Sequence, residues 1–292
     1  MMKFPALFIG IILLALSCTK RSNDTERPVI SVSIIPQQYF IEQLAGDLVD
    51  INVMIPPGAS PATYEPTVSQ LGKLDRSVVY MRIGYIGFEQ SWMDKIASVN
   101  PEMKIVDLSQ GIDILMEGSG EDEVHREHSH HGPDPHIWMS TTNARIISRN
   151  ILNELLQLLP GNRNHLVERY DQFSLTLDSL NQAITEDLQS LENRKFLIYH
   201  PALTYFARDY NLEQFSLEVE GKTPSPAHLK QMTDLVRDNQ ITKILIQSQF
   251  DRKNAEILAK ETGIEIIQFD PLDLHWSEQM SYIAEQLNPS IR

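Results

Sequence analysis

Residues 29–35 read VISVSII, residues 37–46 read QQYFIEQLAG and residues 49–55 read VDINVMI, and this stretch decides the fold class. The first and third segments are short and rich in β-branched residues, whereas the second has the apolar spacing of a helix. A Pro/Gly loop, a polar helix-like stretch and the strand-like segment SVVYMRI at 77–83 follow. Because strands that alternate with helices form βα units, this order predicts a parallel sheet.

A second alternating series begins after Arg194. Its strand-like segments are KFLIYH (195–200), QFSLEV (214–219), KILIQ (243–247) and IEIIQF (264–269). Helical segments separate them at 203–209, 227–237 and 253–262. We therefore predict an α/β protein of two parallel-sheet lobes, with residues 28–160 in the first lobe and residues 194–292 in the second.

The stretch between the two series, residues 161–193, has no strand signal and repeats apolar residues at spacings of three and four. They are Leu166, Tyr170, Phe173, Leu177, Leu180, Ile184, Leu188 and Leu191. This spacing predicts one long amphipathic helix that joins the lobes. At about 1.5 Å per residue it would span about 45 Å, so we expect a rigid strut that makes large hinge closure difficult.

The composition excludes several functional classes. The chain has 292 residues, a formal charge of -14 and 42% hydrophobic residues, which suit a folded acidic protein. Nucleic-acid binding is not expected, because phosphate recognition needs a basic surface. The single cysteine, Cys18, permits neither an intramolecular disulfide nor a CxxC metal site.

The first eighteen residues, MMKFPALFIGIILLALSC, predict export. One lysine precedes an apolar run that is too short for a membrane-spanning helix, so residues 1–17 are interpreted as a signal peptide. The end of the run, Ala15-Leu16-Ser17-Cys18, resembles a bacterial lipobox, in which the cysteine is lipidated and becomes the N-terminus. Residues 18–27 then form a polar tether. We expect a lipid-anchored protein of the bacterial cell envelope that faces the periplasm or the cell exterior.

Residues 118–133 interrupt the α/β pattern with a stretch rich in histidine and acidic residues. It carries His125, His128, His130 and His131 among several Asp and Glu residues. Imidazoles and carboxylates on a flexible loop would raise the local zinc concentration through weak contacts. The alternative is a solvated acidic loop with incidental histidines.

Three candidate metal ligands follow strands or precede a helix. His200 ends KFLIYH, Asp270 follows IEIIQF, and His136 lies in Asp-Pro-His-Ile-Trp after the polar loop. Ligands of open α/β sheets bind at the carboxyl ends of strands, and two imidazoles with a carboxylate suit a first-row transition metal. The alternative is that each residue has a separate structural role.

Five ordered segments resemble the zinc/manganese solute-binding proteins of ABC importers. They are PGASPATYEP (57–66), DPHIW (134–138), YHPALTYFA (199–207), QFDRKNA (249–255) and FDPL (269–272). The resemblance implies two α/β lobes, a rigid linking helix and one metal in the cleft between the lobes. It also implies that His136, His200 and Asp270 are metal ligands, and that the partners are an ABC permease and its cytoplasmic ATPase. We expect a monomer.

The chain departs from the family pattern at Ala62, where the first ligand is usually histidine. Three ligands then remain, and four alternatives stay open for the fourth position: water, Glu65, a loop histidine, or no tight metal site at all. Glu218 and Glu220 precede a turn and are expected to shape the cleft mouth or the permease-facing surface.

Zinc is the expected metal, with Mn²⁺ and Fe²⁺ as alternatives. Family members that carry manganese tend to have glutamate where this chain has His200, and imidazole favours Zn²⁺ over Mn²⁺. Two histidines and a carboxylate are also the set that Fe(II) sites use.

The main functional prediction is an extracytoplasmic solute-binding lipoprotein that delivers zinc to an importer, not an enzyme. One alternative is an envelope metal buffer or adhesin-like interaction protein whose metal site is weakened by Ala62. Another is a zinc hydrolase, which would need a general base that the sequence does not identify. The sequence also has no Gly-x-x-x-x-Gly-Lys-Ser/Thr motif for nucleotide binding.

Overall fold

Two parallel sheets organise the protein, as the computed structural model describes it over residues 27–116, 132–218 and 221–288. The first sheet contains β1 (Val29–Val32), β2 (Asp50–Val53), β3 (Ser77–Arg82) and β4 (Lys104–Asp107). The second contains β5 (Lys195–Ile198), β6 (Glu213–Ser216), β7 (Lys243–Gln247) and β8 (Glu265–Phe269). The strand orders are β2-β1-β3-β4 and β6-β5-β7-β8, and every pairing is parallel.

The two lobes therefore share one topology, and the predicted fold class is confirmed. In each sheet the strand order reverses beside the first strand, between β1 and β3 or between β5 and β7. Loops that leave the carboxyl ends of such strands diverge and open a crevice, the usual place for a ligand in open α/β sheets.

Helices connect the strands and cover the sheets. They are α1 (Ile35–Ala45), α2 (Val68–Leu74), α3 (Gly87–Val99), α4 (Thr141–Leu158), α5 (Arg163–Gln189), α6 (Thr204–Asp209), α7 (Pro226–Asp238), α8 (Lys253–Thr262) and α9 (Trp276–Leu287). No helix within the described ranges is long and apolar enough to cross a membrane.

The predicted linking helix is α5, with 27 residues, about 40 Å at about 1.5 Å per residue. It packs against α1, α4 and α9, so it contacts helices from both halves of the chain. Its buried residues are Leu166, Phe173, Leu177, Leu180, Ile184 and Leu188, all from the predicted apolar stripe. The larger hydrophobic core continues across these helices into one face of the second sheet. This continuity ties the two lobes together along α5.

Three elements were not predicted: helix α3, strand β4 and helix α9. Strand β4 has four residues, all with intermediate or exposed side chains, so it lacks a buried apolar pattern. Helix α9 buries Trp276, Met280 and Ile283 against the core. Their spacing of three and four residues is the same pattern that predicted α5. Helix α9 follows Asp270 directly in the chain and completes the packing behind the second sheet's last strand.

Candidate metal centre

His136 and His200 face each other across the two halves of the chain. Their ring centroids are 5.1 Å apart and their planes cross at 72°. His136 lies in the loop before α4, and His200 lies two residues beyond the end of β5. The structure thus brings together two of the three residues that the sequence proposed as metal ligands.

Asp134 fixes the orientation of His136. Its Oδ1 accepts the His136 main-chain N–H at 2.9 Å and lies 2.9 Å from Nδ1 of the same residue. Burial alone would raise the pKa of Asp134, but the nearby His136 charge and hydrogen bonds from His136 and Thr204 hold it below its usual value. An ionised carboxylate only accepts hydrogen bonds, so a side-chain hydrogen bond in this pair is donated by Nδ1–H of His136.

Glu218 has the same role toward His200. Its Oε2 lies 2.7 Å from Nδ1 of His200, and only 7% of the Glu218 side chain is exposed. Glu218 reaches this position because its own N–H donates to the Tyr199 carbonyl at 2.8 Å, next to His200 in the chain. Strands β5 and β6 are neighbours, so the residues that follow them meet at one edge of the sheet.

This arrangement prepares the second ring nitrogen of each histidine for a metal. When Nδ1 donates to a carboxylate, Nε2 carries a lone pair and the ring orientation is set. A histidine that binds zinc usually has such a carboxylate or carbonyl partner. A tetrahedral zinc site needs four ligands, so two such histidines could supply two of them.

Asp270 begins the loop after β8, and its carboxylate is held by the surrounding chain. Its Oδ1 accepts hydrogen bonds from the Gln249 side-chain amide at 2.8 Å and from the Leu272 N–H at 2.9 Å. Its own N–H donates to Gln279 on α9 at 3.2 Å. These contacts fix Asp270 on the second lobe's side of the site.

Indole hydrogen bonds connect the His136 segment to the Asp270 segment. Trp138 donates its Nε1–H to the Pro271 carbonyl at 2.8 Å, and Trp276 donates to the Trp138 carbonyl at 2.8 Å. The Trp138 ring also packs against His136, with centroids 5.3 Å apart. Trp138 thus packs against His136 and links the two segments that carry the candidate ligands His136 and Asp270.

The remaining ligand candidates do not join the histidine pair in this structure. Over the described ranges, no group of three or more His, Cys, Asp or Glu side chains is close enough to hold a metal ion. Glu65 and Ala62 are both exposed on the loop before α2. Cys18 and the four loop histidines, His125, His128, His130 and His131, lie outside the described residues.

The described residues on either side of the histidine-rich segment lie next to each other. Met116 and Pro133, which flank residues 117–132, pair as an antiparallel bridge. Asp134, one residue later, donates its N–H to the Leu115 carbonyl at 2.8 Å. The segment, residues 118–133, therefore ends one residue before Asp134 and three before His136.

Sequence reasoning missed Asp134 and assigned Glu218 only to the cleft mouth or the permease-facing surface. For Asp134 the available signal was its position two residues before a candidate ligand, at the start of Asp-Pro-His. For Glu218 the signal was weaker: it follows a strand that pairs with the strand before His200, and that pairing becomes known only from the sheet.

Comparisons with known proteins identify the family to which this chain is similar. The sequence profile of the family described as ZnuA, zinc-uptake complex component A periplasmic, matches residues 30–287. Zinc-binding lipoprotein AdcA of Streptococcus pneumoniae (strain ATCC BAA-255 / R6) is 26% identical over 272 residues, which cover 89% of this chain and 53% of AdcA. This chain thus spans about half the length of that relative.

Two further comparisons cover most of both chains. High-affinity zinc uptake system protein ZnuA of Bacillus subtilis (strain 168) is 26% identical over 281 residues, which cover 89% of this chain and 86% of that protein. A crystal structure of ZnuA superposes with a TM-score of 0.82 and 40% sequence identity, over 90% of this chain and 98% of the other.

Proposed function

Because this chain belongs to the ZnuA family of zinc-uptake components, we propose that it is a solute-binding lipoprotein that captures zinc outside the cytoplasm for an ABC-type importer. The observation that carries this proposal is the His136–His200 pair, with rings 5.1 Å apart and each Nδ1 beside a buried carboxylate. Such a pair offers two Nε2 atoms to one ion.

Zinc is the proposed ion because of its ligand preferences. Imidazole nitrogen suits Zn²⁺ better than the harder Mn²⁺, and the names of the AdcA and ZnuA relatives refer to zinc. Mn²⁺ and Fe²⁺ are the competing ions in the same site. We propose Asp270 as the third ligand and water, Glu65 or a loop histidine as the fourth.

The anchor and the partners complete the proposal. Cys18 would carry the lipid, residues 1–17 would direct export, and residues 18–27 would tether the folded part to the membrane. An ABC permease with its cytoplasmic ATPase would receive the metal from a monomeric binding protein. We propose no catalytic role for the site, since the matched family is a component of metal uptake.

Zinc titration against a chromophoric chelator tests the proposal. The purified protein is compared with His136→Ala, His200→Ala and a variant in which the four loop histidines are replaced. We expect the parent to bind one ion at nanomolar strength. The two cleft variants should lose more than about a hundredfold in affinity, beyond the effect of an outer-sphere partner. His165→Ala, which removes an exposed histidine from α5, is the matched control and should bind like the parent.

The alternative function is an envelope metal buffer or adhesin-like protein with a weakened site, and Ala62 is the observation in its favour. The same titration separates the two. If tight stoichiometric binding is absent, or disappears only in the loop variant, the cleft is not a capture site and the buffer or adhesin function replaces the importer function.

A further inference from the structure

One short loop contacts both candidate ligands of the second lobe. This loop, Ser248 to Arg252, joins β7 to α8. Gln249 donates its side-chain N–H to Oδ1 of Asp270 at 2.8 Å. The Phe250 ring stacks on the His200 imidazole, with centroids 5.2 Å apart and planes inclined by 21°.

The loop is well anchored, so it can hold these contacts in place. Ser248 donates its N–H to the Phe269 carbonyl at 3.1 Å, immediately before Asp270, and Phe250 donates to the Gln247 carbonyl at 3.1 Å. The Gln247 side chain is buried and donates to the His200 carbonyl at 2.7 Å. The loop backbone is thus tied to the two chain segments that carry the ligands.

Gln249 decides which oxygen of Asp270 faces an ion. Oδ1 already accepts the Gln249 and Leu272 hydrogen bonds, which occupy both of its lone pairs. An ion therefore binds Asp270 through Oδ2 alone. A monodentate carboxylate with two imidazoles suits tetrahedral zinc, whereas larger and harder ions favour more oxygen contacts.

Phe250 acts on the other ligand. Its ring covers one face of the His200 imidazole, and Tyr199 packs on Phe250 in turn with centroids 5.3 Å apart. Glu218 holds Nδ1 of His200, so the plane and the in-plane rotation of this imidazole are both restrained. Restraint of a ligand in its binding orientation lowers the entropy cost of binding and slows release.

We propose that Gln249 and Phe250 are positioning residues that set zinc selectivity and zinc residence time. Gln249 keeps Asp270 monodentate and so favours zinc over manganese. Phe250 restrains the His200 ring and so slows the release of bound zinc. This inference rests on the proposed function, because it assumes that His136, His200 and Asp270 bind the ion.

The test measures the dissociation constants of zinc and manganese for the purified parent and for Gln249→Ala, and zinc release into excess chelator by stopped flow. We expect Gln249→Ala to weaken zinc binding by about tenfold or more, as loss of an outer-sphere partner does. Manganese binding should weaken less, because Asp270 becomes free to bind through both oxygens. Phe250→Ala should release zinc about tenfold faster, with a smaller change in the binding rate.

The matched control is Asp251→Ala. Asp251 belongs to the same loop and accepts the Lys253 N–H at 2.8 Å, but it is exposed and its bond is directed toward α8. Asp251→Ala should keep the zinc-to-manganese preference of the parent. Thermal unfolding of the metal-free proteins checks that all variants fold.

Each outcome has a distinct meaning. If the parent binds zinc tightly but Gln249→Ala keeps both dissociation constants within about twofold, the positioning inference is wrong and the proposed function stands. If Asp251→Ala changes the zinc-to-manganese preference as much as Gln249→Ala does, the effect comes from a general loosening of the loop, and the positioning inference is wrong. If the parent itself does not bind zinc, the proposed function fails, and the inference fails with it.

Discussion

Trp138 donates its indole N–H to the main-chain carbonyl of Pro271 at 2.8 Å, although 133 positions separate the two residues in the chain. Pro271 follows Asp270, and Trp138 lies two residues after His136. This bond therefore joins the segment that carries one candidate ligand to the segment that carries another. Trp276 reinforces the junction from α9 by donating to the Trp138 carbonyl at 2.8 Å.

Removing this bond should destabilise the protein. Trp138→Phe leaves the Pro271 carbonyl without its donor. Because Trp138 is only 1% exposed, the smaller ring also leaves a void in the core. We expect the free energy of unfolding to fall by about 2–4 kcal/mol, measured by urea unfolding of the metal-free protein. Trp92→Phe is the control, because Trp92 is only half-buried on α3 and should cost less than about 1 kcal/mol. Equal losses in the two variants would contradict the role of the Trp138 bond.

Asp134 and Glu218 should tune metal affinity without binding the metal. Asp134→Asn and Glu218→Gln replace the carboxylates that hold Nδ1 of His136 and His200, and we expect each to weaken zinc binding by about 10–100-fold. Competition titration with a chelator measures the change. Glu213→Gln, at the other end of strand β6, removes a carboxylate that lies 3.5 Å from Lys195 and should leave zinc affinity unchanged. A loss of equal size in this control would show that net charge, and not orientation, controls affinity.

A histidine introduced at position 62 should strengthen the proposed site. Ala62 is exposed, so a longer side chain has room there. A fourth protein ligand closes a tetrahedral zinc site, and we expect Ala62→His to increase zinc affinity by about tenfold or more. Competition titration measures the gain, with Ala62→Ser as the control that adds no imidazole. Unchanged affinity in Ala62→His would contradict a role for position 62 in the site.

Gly87 sets the position of the loop that carries Ala62. A Cβ atom at Gly87 would lie 2.9 Å from the Ala62 carbonyl oxygen, while the Phe88 N–H donates to the Pro61 carbonyl at 2.8 Å. Gly87→Ala must therefore displace the loop, and we expect a loss of about 1–3 kcal/mol in the free energy of unfolding. Gly72→Ala is the control: Gly72 lies inside α2 with open space around it, so the substitution should stabilise by about 0.5–1 kcal/mol. Urea unfolding of both variants should give opposite signs, and a shared sign would contradict the close approach.

Glu89 should make stability depend on pH. Burial raises its pKa from 4.5 to about 7, against hydrogen bonds from Ser33, Ile83 and Gly84 that lower it. Between these two values the native protein keeps a proton that the unfolded chain has released, so the free energy of unfolding falls as pH rises. The stability that protonated Glu89 contributes is fully present below pH 4.5, and it is lost as the pH rises to about 7.

Urea unfolding of the metal-free protein across that pH range measures the effect, which is at most about 3 kcal/mol. Glu89→Gln does not titrate, so its stability should lack this part of the pH dependence. Glu102→Gln, at an exposed position, should keep the slope of the parent. If Glu89→Gln and the parent have parallel pH profiles, Glu89 does not titrate in this range.

The amino-acid sequence by itself determined the two parallel sheets, the long helix α5, the strand ends near which His200 and Asp270 lie, and the position of His136 ahead of a helix. These features follow from local spacing: β-branched runs form strands, and apolar residues three and four apart form a helix face, wherever the chain goes afterwards. For this reason the apolar stripe from Leu166 to Leu188 predicted helix α5 from the sequence.

Only the tertiary structure decided which side chains meet. Glu218 contacts His200 because β6 pairs with β5, and Gln249 contacts Asp270 because β7 pairs with β8. The bond from Trp138 to Pro271 needs both lobes to be folded and packed along α5. A hydrogen bond depends on distances of about 3 Å and on direction, and no periodicity in the chain encodes either for residues that are far apart in sequence.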